Sequence, residues 1–67
     1  MISIEFNGEA REIEEGSTVL QLLELAQVSS KFCAVELNLE IVSRECYGQT
    51  LLQAGDKIEV VTLVGGG

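Results

Sequence analysis

Residues 2–8 read Ile-Ser-Ile-Glu-Phe-Asn-Gly. Apolar and polar side chains alternate as far as Phe6, which predicts a β-strand with one buried face. The dipeptide Asn7-Gly8 follows at once. It is a strong hairpin signal, because both residue types tolerate a positive φ. We therefore expect a second strand over residues 10–14, and Glu15-Gly16 should end it.

The stretch after this hairpin predicts a helix. Thr18 and Gln21 have the spacing of a capping box, in which the hydroxyl accepts a backbone N–H. Apolar residues then recur at i, i+3, i+4 and i+7, so they share one face of the helix. We interpret this stripe as core packing, and its members are Val19, Leu22, Leu23 and Ala26.

The rest of the chain has strand character interrupted by turns. Residues 31–37 predict a third strand, and residues 57–64, rich in β-branched side chains, predict the last one. Residues 41–42 form a short extended piece, residues 46–49 are ambiguous, and residues 54–56 predict a turn. The third strand should place Cys33, Val35 and Leu37 on one face and Phe32, Ala34 and Glu36 on the other.

The order of these elements predicts an α+β fold. A hairpin, a helix and further strands leave one apolar sheet face that the helix must cover. The last strand is the most apolar and should lie centrally, beside the first. A β-grasp arrangement, with a mixed sheet covered by one main helix, satisfies these conditions. We expect a β-grasp domain over residues 1–64 and a flexible glycine tail over residues 65–67.

Length and composition argue against several classes of function. The 67 residues have room for one domain with a thin core. Eleven acidic residues against four basic ones give a net charge of −7, so we expect no nucleic-acid binding and favour a basic protein partner. The chain has no histidine, which removes most general-base, triad and zinc schemes. We therefore expect neither an enzyme, nor a catalytic residue, nor a metal site.

Cysteine content and the lack of a long apolar run bear on location. No apolar stretch approaches the roughly 20 residues of a membrane helix, and we expect no membrane association. Cys33 and Cys46 make at most one bridge, which is fewer than small secreted scaffolds usually carry. Two free thiols in a reducing cytoplasm are the preferred interpretation. Cys33 should be buried, since it shares a face with Val35 and Leu37, and Cys46 should be partly exposed.

The last four residues are Val64-Gly65-Gly66-Gly67. Three extended glycines reach about 10 Å and have no side chains, so they can enter a narrow channel in another protein. A terminal carboxylate is ionised at neutral pH, and adenylation would turn it into an acyl donor. The alternative is an ordinary frayed terminus.

Together these features resemble the small ubiquitin-like sulfur carriers of bacteria, and most closely those of thiamine biosynthesis. The resemblance covers essentially the whole chain. Against the pattern of that family, Leu39 stands where a glycine or polar residue is usual, and Ser43 where a proline is common. The matching pieces are Asn7-Gly8, Gly16-Ser17-Thr18-Val19 leading into Leu22-Leu23, residues 34–38, 41–42, 44–45 and 55–61, and the glycine run.

The resemblance implies a co-substrate that another enzyme modifies. An E1-like adenylating enzyme would use ATP and magnesium to convert the Gly67 carboxylate into an acyl adenylate. A cysteine desulfurase or other persulfide donor would then supply sulfur, leaving a thiocarboxylate. Thiazole synthase would use that sulfur for the thiazole ring of thiamine. Gly66 and Gly67 would carry the function and Gly65 would extend the reach, with no cofactor bound by the carrier itself.

A docking face is expected on the last strand. If Ile58 and Val60 point inward, alternation turns Val61 and Leu63 outward, where apolar side chains suggest a partner surface. Packing against a second face is the alternative, and single exposed apolar residues are common.

Other functions stay open at this point. The chain could serve molybdopterin synthesis or another sulfur pathway, or it could be a β-grasp interaction module with an inert tail. A thiol-redox protein would need a reversible bridge between Cys33 and Cys46. Nothing in the sequence demands an oligomer, so we expect a free monomer.

Overall fold

The computed structural model describes residues 1–63, and residues 64–67 lie outside the described part. Five strands form one mixed sheet in the order β2-β1-β5-β3-β4. The α+β class, with a mixed sheet and one main helix, is thereby confirmed. The strands are β1 (Ile2–Phe6), β2 (Glu9–Ile13), β3 (Cys33–Leu37), β4 (Glu40–Val42) and β5 (Lys57–Thr62), and the helix is α1 (Val19–Leu25).

Strand β5 lies in the centre of the sheet, as the sequence predicts. It runs parallel to β1, with Phe6 in register with Ile58. It runs antiparallel to β3, from the pair Leu37–Ile58 to the pair Cys33–Thr62. The last strand therefore joins the amino-terminal hairpin to the β3–β4 pair.

The helix begins with the predicted capping box. The Thr18 hydroxyl accepts the Gln21 backbone N–H at 3.2 Å, and the Gln21 side-chain oxygen accepts the Thr18 N–H at 2.9 Å. Val19, Leu22 and Leu23 are completely buried against the inner face of the sheet, whereas Ala26 is the C-cap. The core cluster consists of Ile4, Ile13, Val19, Leu22, Leu23, Cys33, Val35, Tyr47, Leu52, Ile58 and Val60.

Two core residues, Tyr47 and Leu52, come from the long connection between β4 and β5. The Tyr47 carbonyl accepts the Leu20 N–H at 2.9 Å, and the Leu52 N–H donates to the Ser17 carbonyl at 2.8 Å. These bonds hold the connection against the start of α1. The sequence offered no periodicity here, and neither residue was among the predicted core positions.

Three strands begin at positions other than those predicted, among them β4, which starts at Glu40 rather than at residue 41. β2 starts at Glu9, one residue early, because Asn7-Gly8 is a complete two-residue turn that leaves Phe6 paired with Glu9. β3 starts at Cys33, because Ser30–Phe32 forms a 3-10 turn capped by the Ser29 hydroxyl. A second 3-10 turn, Arg44–Cys46, lies near the stretch that the sequence left ambiguous. β5 ends at Thr62, and the predicted strand residue Val64 lies outside the described residues.

The hairpins β1–β2 and β3–β4 turn in the same way. Asn7 and Gly8 have φ values of 50° and 85°, and Asn38 and Leu39 have φ values of 53° and 73°. Two consecutive positive φ values are typical of the type I′ turn that joins twisted strands. Leu39 thus occupies a left-handed position, which explains why a glycine or polar residue is usual there.

Candidate functional site

The site is built around β5, the strand that leads toward the glycines. Ile58 and Val60 face the core, whereas Val61 is 62% exposed and Leu63 is 55% exposed. The alternation that the sequence predicted therefore places Val61 and Leu63 on the outer face of the sheet. Gly65, Gly66 and Gly67, the other predicted site residues, lie outside the described residues.

Further apolar side chains surround these two on the outer face, opposite the helix. Ala34 is in register with Val61, and the Leu63 N–H donates to the Phe32 carbonyl at 2.7 Å. Ile41 extends the surface onto β4 and is 71% exposed. Because β4 is a short edge strand, the sequence did not reveal which way Ile41 points. We call this surface the outer patch; its members are Phe32, Ala34, Ile41, Val61 and Leu63.

Acidic side chains border the outer patch. Glu36 on β3 is in register with Glu59 on β5, and both line a shallow depression of about 340 Å³ together with Ala34, Ile41 and Val61. Like charges directly opposite each other on neighbouring strands destabilise a sheet. The outer face therefore combines an apolar centre with a concentrated negative charge, consistent with the net charge of −7.

Asn7 connects the first turn to the strand that carries the outer patch. Its side-chain oxygen accepts the Val60 N–H at 2.7 Å, and its side-chain nitrogen donates to the Val60 carbonyl at 3.2 Å. The Asn7 backbone N–H also donates to the Ile58 carbonyl at 2.9 Å. The sequence identified Asn7 as a turn residue, but it carried no signal of this long-range contact.

Asn38 makes a similar connection at the other end of β5. Its side-chain oxygen accepts the Lys57 N–H at 3.0 Å, and its side-chain nitrogen donates to the Asp56 carboxylate at 3.1 Å. Its backbone N–H donates to the Lys57 carbonyl at 2.8 Å. Asn38 is thus bonded to β5 at its first residue and Asn7 at Val60 in its second half, and both asparagines lie in type I′ turns.

The two cysteines are free and differ in exposure. Cys33 is buried on the inner face of β3 and Cys46 is exposed, as predicted. Burial raises the pKa of the Tyr47 phenol, the charge of Cys33 and a hydrogen bond with its side chain raise it further, and the charge of Arg44 lowers it. Cys33 and Tyr47 both belong to the buried core cluster.

Within residues 1–63, no group of three or more His, Cys, Asp or Glu side chains could hold a metal ion. In the same part of the chain, no helix has the length and apolarity needed to cross a membrane.

A mixed five-stranded sheet with the last strand in its centre and one main helix on one face is the ubiquitin-like β-grasp fold. The ThiS family model matches residues 4–67. The chain belongs to the ThiS family.

Named relatives agree with this assignment. The sulfur carrier protein ThiS of Escherichia coli is 35% identical over 66 residues, covering 98% of this chain and all of that protein. The crystal structure of the thiamine biosynthesis protein ThiS from Geobacter metallireducens superposes with a TM-score of 0.84 at 30% identity, covering 98% of this chain and 100% of the other.

A third relative is much longer. The thiazole synthase of Paramagnetospirillum magneticum is 46% identical over 61 residues, which cover 91% of this chain. The match spans only 19% of that protein's length. This chain therefore corresponds to about one fifth of the thiazole synthase that it resembles.

Proposed function

We propose that this protein carries sulfur to the thiazole ring of thiamine as a thiocarboxylate on Gly67. The observation that carries the proposal is the ThiS family match, which extends through residue 67 and so includes all three glycines. The relative named sulfur carrier protein ThiS supports it, since it aligns over its full length. As a carrier, the chain is a co-substrate of its partners and acts in the cytoplasm.

The chemistry begins at the Gly67 carboxylate. One of its oxygens attacks the α-phosphorus of ATP on an E1-like enzyme that holds magnesium, and pyrophosphate leaves. The terminal sulfur of a persulfide, from a cysteine desulfurase or another donor, then attacks the carbonyl carbon and AMP leaves. A thiol cleaves the resulting acyl disulfide, which frees the thiocarboxylate and leaves the donor sulfur in a disulfide.

Thiazole synthase is the proposed acceptor of the sulfur. In the relative from Paramagnetospirillum magneticum, a segment 46% identical to this chain is part of a protein named thiazole synthase. A carrier-like segment joined to the enzyme that would use its sulfur supports a physical partnership between the two. This observation favours thiamine over molybdopterin synthesis, the second pathway that the sequence left open.

The outer patch is the proposed docking surface. Val61 and Leu63 lie in it, six and four residues before Gly67 in the numbering, so a partner that covers the patch contacts the segment that leads to the glycines. Glu36 and Glu59 at its border suit a partner with an apolar centre and basic side chains around it.

Mass spectrometry of the C-terminal peptide tests the proposal. The protein is incubated in extract of its source organism with ATP and cysteine, beside a variant that lacks Gly67. The peptide must be isolated, because oxidation of Met1, Cys33 or Cys46 nearly matches an oxygen-to-sulfur exchange in the intact mass. Sulfur on Gly67 that depends on ATP, and is absent from the variant, is the expected result.

A negative result would support the interaction module. An unmodified Gly67, in extract shown to thiocarboxylate the ThiS of Escherichia coli, would contradict the carrier function. In that case, removal of Gly66 and Gly67 should leave partner binding unchanged.

A further inference from the structure

The two edges of β5 are not held equally along its length. On one edge, β3 pairs with β5 as far as Thr62, and the Phe32 carbonyl then accepts the Leu63 N–H. On the other edge, the register with β1 ends where Phe6 meets Ile58. Beyond Ile58, β5 thus has a strand partner on one side only.

Asn7 occupies the second edge just where β1 stops. Its amide offers one acceptor and one donor, and it uses them on the N–H and the carbonyl of Val60. A side-chain amide thereby replaces the peptide group of the missing strand. Only a residue that tolerates φ of 50° and carries an amide can do this, and asparagine combines both properties.

We propose that Asn7 is a positioning residue of the carrier reaction. By holding Val60 from the second edge, it fixes the direction in which β5 continues through residues 61–63 toward the glycines. This inference rests on the proposed function, because it concerns delivery of the Gly67 carboxylate into a partner's active site. A small misplacement of a reacting group costs up to about 100-fold in rate. Loss of the Asn7–Val60 hydrogen bonds should therefore lower the turnover rate of the carrier.

Asn38 supplies a matched control. It also has a positive φ, also donates its backbone N–H to β5, and also uses both ends of its amide. Its contacts are at Asp56 and Lys57, at the opposite end of the strand from the tail. Glycine retains the backbone conformation at either position, so Asn7→Gly and Asn38→Gly each remove only the amide.

The experiment measures ATP-dependent release of pyrophosphate by the adenylating enzyme, with each carrier varied in concentration. Both variants should lose a similar amount of thermal stability. Only Asn7→Gly should lower kcat, by about 10- to 100-fold, and its KM should rise as well, because Val61 and Leu63 of the outer patch follow directly after Val60. Hydrogen exchange of the Val60 amide should accelerate in Asn7→Gly alone.

Equal kcat values for Asn7→Gly and Asn38→Gly would overturn the inference while leaving the carrier function intact. A wild-type protein that is never adenylated would overturn the proposed function itself. If Asn7→Gly does not fold, Asn7→Asp decides the question, since it retains the acceptor for the Val60 N–H and replaces the donor with a carboxylate oxygen that repels the Val60 carbonyl. A kcat for Asn7→Asp below that of Asn38→Gly supports the positioning role, and an equal kcat overturns it.

Discussion

Gly8 and Leu39 hold the same position in two turns of the same type. Each is the second residue of a type I′ turn, with φ of 85° at Gly8 and 73° at Leu39. Glycine adopts this conformation without strain, whereas an L-residue with a side chain pays a steric penalty there. The β3–β4 hairpin therefore carries strain that the β1–β2 hairpin does not.

The substitution Leu39→Gly should stabilise the protein. Relief of the left-handed strain should raise the free energy of unfolding by about 1–2 kcal/mol. The greater backbone entropy that glycine loses on folding should lower it by about 0.5–1 kcal/mol. Little packing is lost, because Leu39 is 87% exposed. We expect a net gain of about 0.5–1 kcal/mol in the free energy of unfolding by urea denaturation.

The reverse change at the equivalent position provides the control. A Cβ on Gly8 meets nothing within 4 Å, so Gly8→Leu tests the backbone alone and should destabilise by a similar amount. Loss of stability in Leu39→Gly would show that the exposed leucine makes a contribution that strain does not outweigh.

Tyr47 should make the fold sensitive to alkali. Burial, first of all, raises the pKa of its phenol above the usual value near 10. Between that value and the higher folded pKa, the unfolded chain loses the proton and the folded chain keeps it. The contribution of Tyr47 to the free energy of unfolding is therefore fully present below about pH 10 and is lost as the pH rises further.

Thermal melts of wild type and Tyr47→Phe between pH 7 and pH 11 measure this effect. The variant should lose a constant amount of stability at lower pH, about 1 kcal/mol, with its hydroxyl hydrogen bond. Above about pH 10 the difference in stability between wild type and Tyr47→Phe should narrow. The wild type loses stability there as its phenol ionises, whereas phenylalanine has no proton to lose. A gap that stays constant over the whole range would contradict the assignment of alkaline sensitivity to Tyr47.

The outer patch predicts a binding defect without a stability defect. Val61→Ser should weaken binding to the adenylating enzyme by about 1–2 kcal/mol, as expected for an apolar anchor in an interface. Leu25→Ser is the matched control, since Leu25 on α1 and Val61 on β5 are both 62% exposed. Calorimetric titration of each carrier into the enzyme gives the comparison.

The free energy of unfolding of each serine variant should lie within about 0.5 kcal/mol of the wild-type value, because exposed side chains contribute little to stability. If Val61→Ser binds as tightly as Leu25→Ser, the docking surface lies elsewhere on the carrier. That outcome would leave the chemistry at Gly67 untouched.

The capping box predicts a measurable coupling between two side chains. Thr18→Ala removes the acceptor for the Gln21 N–H and should cost about 1 kcal/mol. Gln21→Ala removes only the acceptor for the Thr18 N–H, so its cost should be smaller. In a double-mutant cycle by urea denaturation, the two costs should sum to more than that of the double variant. Strict additivity would contradict a reciprocal capping box.

Local signals predicted most of the fold. Alternation located β1, β-branched residues located β5, Asn7-Gly8 located the first turn, and the spacing of Thr18 and Gln21 located the start of α1. Each of these signals lies within a few residues of the element that it specifies, so it is legible without the tertiary structure. The outward direction of Val61 and Leu63 followed from the same alternation, once β5 was known to have a buried face.

The features that escaped prediction depend on residues far apart in the chain. Asn7 and Val60 are 53 positions apart, and Asn38 and Lys57 are 19 positions apart. Tyr47 and Leu52 enter the core because their loop is bonded to the start of α1. Ile41 joins the outer patch because β4 pairs with β3 in one particular register. No local pattern encodes these partners.

The sequence by itself determined the order of elements, the helix cap, the buried stripe and the glycine run at residues 65–67. These follow from side-chain periodicity and turn chemistry, which act over a few residues. The tertiary structure alone decided which side chains meet across the sheet: the amide of Asn7 on Val60, the acidic pair Glu36 and Glu59, and the apolar surface around Val61. The physical reason is register, since strand pairing brings distant residues within hydrogen-bonding and contact distance.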